Sequence, residues 1–95
     1  MKNDYYDIII VVNYLYRPKI KKLINLLNNG GHLFYETFAL GNEKYGSPKN
    51  PDYLLKDKEL LNLFSKENEI LNYFNGVVAE EQISIKQKCL IKKAP

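Results

Sequence analysis

The sequence has little of several residue types that carry chemistry: one cysteine, one histidine, one methionine, no tryptophan, and a single arginine among its 14 basic residues. The lone Cys89 excludes an intrachain disulfide and a cysteine-cluster zinc site, and fits a reducing cytoplasm. His32 has no second histidine and no nearby cysteine to share a metal, so no metal site is expected. Guanidinium forks are the preferred tools for phosphate and base edges, and here only Arg17 has one; with a net charge of +3, no nucleic-acid partner is expected. No apolar run approaches the ~20 residues that span a bilayer, and the opening Met-Lys-Asn-Asp-Tyr-Tyr-Asp is not a secretory signal. The expected location is therefore the cytoplasm, with no membrane partner. A length of 95 residues leaves room for one small domain. Richness in Lys, Asn, Ile and Tyr together is the composition of an AT-rich genome, so the eight tyrosines carry little weight as a stacking platform.

What is present is ordered. Ile8, Ile9, Ile10, Val11 and Val12 form a continuous β-branched run, apolar on both faces, as in parallel sheets covered on two sides. Pro18 suits the first turn of a helix, and Ile20, Leu23, Ile24 and Leu27 then follow at i, i+3, i+4, i+7, with Lys19, Lys21 and Lys22 on the wet face. Gly30-Gly31 supplies a positive-φ stop, and Leu33 to Phe38 reads as a second strand. Strand, helix, strand makes a βαβ unit with parallel strands and a right-handed crossover. Ala39 to Leu55, rich in Gly, Pro and Asn, has no usable period and is a long loop. Asp57 is a candidate cap for a short helix over Lys58 to Ser65, with Leu60, Leu61 and Phe64 on its buried stripe. Ile70 to Ala79 and Gln82 to Lys93 are strands joined at Glu80-Glu81. A turn at Asn75-Gly76 is the alternative, set aside because the later turn leaves strands of matched length. In the last strand Ile83, Ile85, Cys89 and Ile91 share one face, and Ser84, Lys86, Lys88 and Lys92 the other. The fold class is thus α/β: a mixed four-stranded sheet, its first two strands parallel and its last two an antiparallel hairpin, with helices mainly on one face.

In this order the elements resemble the second half of a class I S-adenosylmethionine-dependent methyltransferase. Tyr6-Asp7-Ile8-Ile9 is similar to the start of that fold's fourth strand, Asn29-Gly30-Gly31 to the turn before its fifth, and Glu80 to Lys93 to its closing hairpin strand. Asn13-Tyr14-Leu15-Tyr16-Arg17-Pro18 and Tyr35-Glu36-Thr37-Phe38, continuing through Gly41-Asn42 and Tyr45-Gly46-Ser47-Pro48 to Asn50-Pro51, resemble the tellurite-resistance-like methyltransferase group. The resemblance implies a Rossmann-like half domain over residues 1–95, with the N-terminal cofactor-binding half absent. In the family the cofactor rests on a glycine-rich turn after the first strand. No G-x-G segment occurs in this sequence, and Gly30-Gly31 enters a strand rather than opening a helix. S-adenosylmethionine is therefore implied by resemblance only, and the isolated chain is not expected to bind it.

An edge consequence follows without the family. Two right-handed crossovers moving the same way across a sheet put both helices on one face and leave the other bare. The strand Tyr6 to Asn13 also has no neighbour on its outer side, although it is too apolar to be a blunted edge. Burying an apolar strand side chain contributes ~1.5–3 kcal/mol, so a cover is expected. The expectation is a homodimer through Tyr6 to Asn13 and the uncovered sheet face, or a partner supplying the missing half.

Candidate site residues lie beyond the carboxyl ends of the strands, where open α/β sheets place ligands. Asn13, Tyr14 and Tyr16 are cofactor-side candidates by ring stacking and amide hydrogen bonds; in the plainer reading Asn13 caps a turn and the tyrosines pack at a dimer seam. Arg17 is either a carboxylate or phosphate contact or the partner of a surface acid. Glu36, inside a mostly apolar segment, is either a base or substrate acceptor, or it accepts backbone N–H bonds from the long loop. Asn42, Tyr45 and Asn50 are substrate-side candidates on that loop by resemblance, where glycines and prolines also simply set turns. Cys89 reads as an inert buried thiol. Lys86, Lys88, Lys92 and Lys93, with no interleaved aromatics, read as a solvated strand face. No catalytic residue is assigned. Three functions stay open: half of a split or dimer-reconstituted methyltransferase, a non-catalytic binding or dimerisation module, and a truncated gene remnant.

Overall fold

The computed structural model describes residues 5–66, 68–80 and 82–94. In chain order these form β1 (Tyr6–Val12), α1 (Arg17–Asn25), β2 (Leu27–Phe38), α2 (Glu59–Phe64), β3 (Asn68–Ala79) and β4 (Ile83–Lys93), with 3-10 turns at Asn42–Lys44 and Pro51–Tyr53. The four strands make one sheet in the order β1-β2-β4-β3. β1 and β2 are parallel, β2 and β4 antiparallel, and β3 and β4 an antiparallel hairpin. This is the mixed α/β sheet expected from the sequence.

The period of two along the strands decides which residues enter the core. Leu33, Tyr35, Cys89 and Ile91 are buried with Ile20 of α1 and Leu60 and Phe64 of α2, and Ile9, Val11, Leu23, Ile24 and Leu63 pack around them. The other face carries the even-numbered residues of β1, β2 and β4. There Ile8 and Ile10 of β1 are 64% and 66% exposed, and Val12 is exposed beside them. Both helices therefore cover one side of the sheet, and β1 is an open edge.

Local details depart from the sequence reading at several points. Leu27 does not close the apolar stripe of α1. The helix ends at Asn25, with the Leu26 N–H donating to the Leu23 carbonyl, and Leu27 is the buried first residue of β2. Pairing runs from Tyr6↔Leu27 to Ile8↔His32, so Asn28 to Gly31 bulge out of the ladder. Gly30 adopts φ +80°, the expected left-handed stop. Gly31 serves a different need, since a Cβ there would lie 2.9 Å from the Asn28 carbonyl oxygen and 3.1 Å from that of Asp7. Asp57 does not cap α2, whose N-cap is Lys58 at φ +61°. In its first turn the Leu60 N–H instead donates to Gln87 Oε1 (2.8 Å), and ahead of the cap the Lys56 N–H donates to Glu59 Oε1 (2.8 Å). Leu63, rather than Leu61, joins Leu60 and Phe64 against the core.

The hairpin register runs without a break from Asn72↔Leu90 to Ala79↔Ile83, which puts Asn75 and Gly76 inside β3 and not in a turn. Glu81, half of the expected Glu80-Glu81 break, lies outside the described residues. The lysine stripe of β4 is not uniformly solvated. Lys86 is only 7% exposed, and Lys93 Nζ donates to the Leu27 carbonyl at 2.9 Å. Nor are aromatics lacking: Lys86 Nζ lies 4.9 Å from the Phe38 ring centre and Lys88 Nζ 5.7 Å from that of Phe74, each aromatic supplied by the neighbouring strand.

Candidate functional site

The carboxyl end of β1 turns sharply. Asn13 takes a left-handed φ of +58°, and its N–H donates to the Glu36 carbonyl at 2.8 Å, anchoring the turn to β2. The next carbonyl, of Tyr14, accepts the Tyr35 hydroxyl from the core side. Burial pushes the Tyr35 phenol up to about 12, so it is a neutral donor at any ordinary pH. With its backbone tied, the Tyr14 ring stands 60% exposed, while Leu15 turns inward. Asn13, Tyr14, Leu15, Thr37, Phe38, Ser47, Pro48 and Tyr53 line a groove of about 430 Å³ at this end of the sheet. Tyr16 is separated from it, lining a small apolar hollow of about 170 Å³ against α1.

A second groove, of about 440 Å³, continues from the first and shares Phe38 and Ser47 with it. Asn42, Tyr45, Ser84, Glu80 and Lys86 are among its other lining residues. Its wall is the loop after β2. Asn42 is buried, accepts the Ile85 N–H at 3.0 Å through Oδ1 and reaches the Pro48 carbonyl at 3.5 Å, so it fastens the loop to β4. Gly41 makes that approach possible with φ +108° over the Ile85 side chain.

Arg17 is spent within the fold. Nε and one terminal nitrogen donate to the Glu59 carboxylate at 2.7 and 3.0 Å, and further N–H groups donate to the carbonyls of Asp52 and Leu54 at 2.7 Å each. This fork ties the start of α1, the end of the loop and α2 together. The partner is an acid, as in the second alternative, but a part-buried one, with the Glu59 side chain 16% exposed. Burial raises the Glu59 carboxyl, but hydrogen bonds from Arg17 and the Lys56 N–H outweigh it and hold the group below its ordinary value. Asn50 is likewise local, its side chain accepting the Asp52 N–H at 2.9 Å at the head of a 3-10 turn.

Among the described residues Glu36 accepts no backbone N–H bond from the loop and is held by a side chain instead. Its carboxylate faces the open side of the sheet and pairs with Lys86 Nζ at 3.3 Å, both side chains largely buried. Sequence reasoning thus brought Asn13, Tyr14, Asn42 and Tyr45 to the grooves, and missed Lys86, Phe38, Ser47 and Tyr53. The only signal for Lys86 was its place opposite Phe38 in a β2–β4 pairing, and that register is invisible until the strands are aligned. Among the described residues no group of three or more His, Cys, Asp or Glu side chains is arranged to hold a metal ion, and no helix is long and apolar enough to cross a membrane.

A parallel pair at one edge, an antiparallel hairpin at the other, and a groove beyond the carboxyl ends of the parallel strands make a Rossmann-like mixed sheet. No family model matches the sequence, and no curated protein matches it. Among solved structures, TehB from Haemophilus influenzae is similar over 95% of this chain and 36% of its own, at 19% identity and a TM-score of 0.68. A SAM-dependent methyltransferase from Methanosarcina mazei is similar over 97% of this chain and 61% of its own, at 13% identity and a TM-score of 0.62. The likeness is one of fold, and the chain spans less than two thirds of either structure. It agrees with the group that the sequence resembles.

Proposed function

We propose that this chain is the acceptor-side half of an S-adenosylmethionine-dependent methyltransferase, with a covering surface over the β1 edge and the open sheet face. The observation that carries the reading is the pairing of a methyltransferase-type sheet with an apolar edge strand whose Ile8, Ile10 and Val12 are exposed. The cover is a second copy, joined antiparallel along Tyr6 to Asn13 across a two-fold, or a chain carrying the cofactor-binding half.

The residues present suit the flank of a donor rather than its cradle. Asn13 and Tyr14 line the first groove with their backbones committed, and among the described residues no hydrogen bond engages their side chains. They would hold the donor from one side, with Tyr16 farther out. The bound cofactor supplies an electrophilic methyl group. This chain's contribution is to position the acceptor and exclude water from it, which for a good nucleophile supplies much of the rate. The reading places the protein in the cytoplasm.

Titration calorimetry tests it. The isolated chain should show no micromolar affinity for S-adenosylmethionine, and affinity should appear when the complementary half is added. Micromolar binding by the isolated chain would overturn the half-site reading. Light scattering tests the cover: a stable folded 11.1 kDa monomer at micromolar concentration excludes the homodimer. The same exposed strand also suits a non-catalytic dimerisation module, which predicts a dimer that stays blind to the donor in every combination.

A further inference from the structure

The second groove has an unusual floor. Lys86 is 7% exposed, yet it lines an open groove of about 440 Å³. Its Nζ is held from one side by Glu36 at 3.3 Å and rests 4.9 Å from the Phe38 ring centre. An ammonium carries three N–H donors, and among the described residues Glu36 accounts for one of them. A nearly buried cation with unspent donors is a strong attractor for an acceptor oxygen, because the desolvation of the lysine has already occurred in folding. Around it the lining is part apolar, from Phe38 and Ile83, and part hydroxylic, from Tyr45, Ser47 and Ser84. Glu80 also lines the groove but is solvent-exposed, whereas Glu36 is already paired.

We infer that Lys86 anchors a binding subsite for the carboxylate of a small organic molecule whose apolar body lies against Phe38. On the function proposed above, this molecule is the methyl acceptor. Phe38 and Ser47 line both grooves, so a ligand held at Lys86 extends toward Asn13 and Tyr14, the donor side. The role of Lys86 is to position, with Glu36 fixing the ammonium in place; neither is assigned a proton-transfer step.

The test is a nuclear magnetic resonance titration of the full chain with sodium benzoate, beside benzamide as the neutral isostere and benzylammonium as the cationic one. Benzoate should produce saturable shifts at Phe38, Ser47 and Ser84 and at the ε-methylene of Lys86. Lys86→Met should weaken it at least about tenfold, the loss of one charge-assisted contact, while Lys86→Arg retains binding. Equal binding of benzamide, tighter binding of benzylammonium, or no benzoate shift at Lys86 in the unmodified chain overturns the assignment. The Lys86 resonance is read without any substitution, so a variant that fails to fold leaves the result decisive. S-adenosylmethionine takes no part in this titration. Failure of donor binding therefore leaves the benzoate outcome readable, and a benzoate failure leaves the half-site reading standing.

Discussion

Replacing Gln87 should unfasten α2 from the sheet. Gln87 is fully buried on the helix side of β4, between Ile85 and Cys89. Its Oε1 accepts the Leu60 N–H at 2.8 Å, and its Nε2 donates to the Lys56 carbonyl at 2.8 Å and to Asn75 Oδ1 at 2.9 Å. Gln87→Leu keeps roughly the volume and removes all three bonds. The Leu60 amide, itself fully buried, is then left unpaired at about 1–3 kcal/mol, and the bond to the Lys56 carbonyl adds about 1 kcal/mol. Asn75 is exposed and turns to water, so it adds little. Extra apolar burial by leucine offsets about 1 kcal/mol, leaving a net destabilisation of about 2 kcal/mol. Gln87→Glu separates hydrogen bonding from packing. It keeps the acceptor for Leu60, but at neutral pH it sets a buried carboxylate against the Lys56 carbonyl; once protonated, the same group donates to that carbonyl. Its deficit should therefore exceed that of Gln87→Leu at pH 7 and shrink as the pH falls toward 5. Urea unfolding followed by far-ultraviolet circular dichroism at fixed protein concentration measures both, and hydrogen exchange at the Leu60 amide reports the bond directly. A Gln87→Leu chain within 0.5 kcal/mol of the parent, or an unchanged Leu60 amide, refutes the reasoning.

Acid should weaken the Arg17 clamp. The folded Glu59 carboxyl is held below its ordinary value of 4.5, so its contribution is complete above that value and lost as pH falls through the folded one; Glu59→Gln should flatten this part of the acid unfolding curve. Alkali acts on Cys89 with the opposite sign. Burial pushes its thiol up to about 11 from 9.0, so the neutral form it favours stabilises the fold below pH 9, and about 2–3 kcal/mol is lost between those values. Cys89→Ala should remove that dependence, and Ellman's reagent at pH 8 should leave the folded thiol unmodified but label it in urea. Gly31→Ala should destabilise by about 1–3 kcal/mol in the same urea assay, because the added methyl meets two backbone oxygens that cannot swing away, besides the Leu27 side chain.

The elements were legible in the sequence because their signals are short-range. The β-branched run of β1, the 3.6-residue stripe from Ile20 to Ile24 and the alternation of β4 each sit within a dozen residues, and all three form where expected. Leu27 marks the limit: it continues the helical period, yet the strand claims it, since pairing with Tyr6 outweighs one more turn of a short helix. The polar contacts were not legible, because they depend on register. Gln87 looks like an interruption in an apolar face until α2 is laid over it, and Lys86 looks solvated until β2 brings Glu36 and Phe38 alongside. The grooves show the same division. Asn13 and Tyr14 could be placed from the end of one strand, whereas Ser47 and Tyr53 arrive by the folding of a loop that has no period.

The seam between β2 and β4 has a consequence for how the chain reaches this state. β1, α1 and β2 close on themselves within one short stretch, and β3 and β4 pair from Ala79↔Ile83 onward, so each unit can assemble from neighbours in sequence. The middle of the sheet joins them by pairing His32 with Lys92 and Leu33 with Ile91, residues from distant parts of the chain. That junction closes the longest loop in the molecule and carries the greatest entropic toll of any strand pairing here. Closing this central suture is therefore the step expected to limit folding, and substitutions at Leu33 or Ile91 should register in the refolding rate.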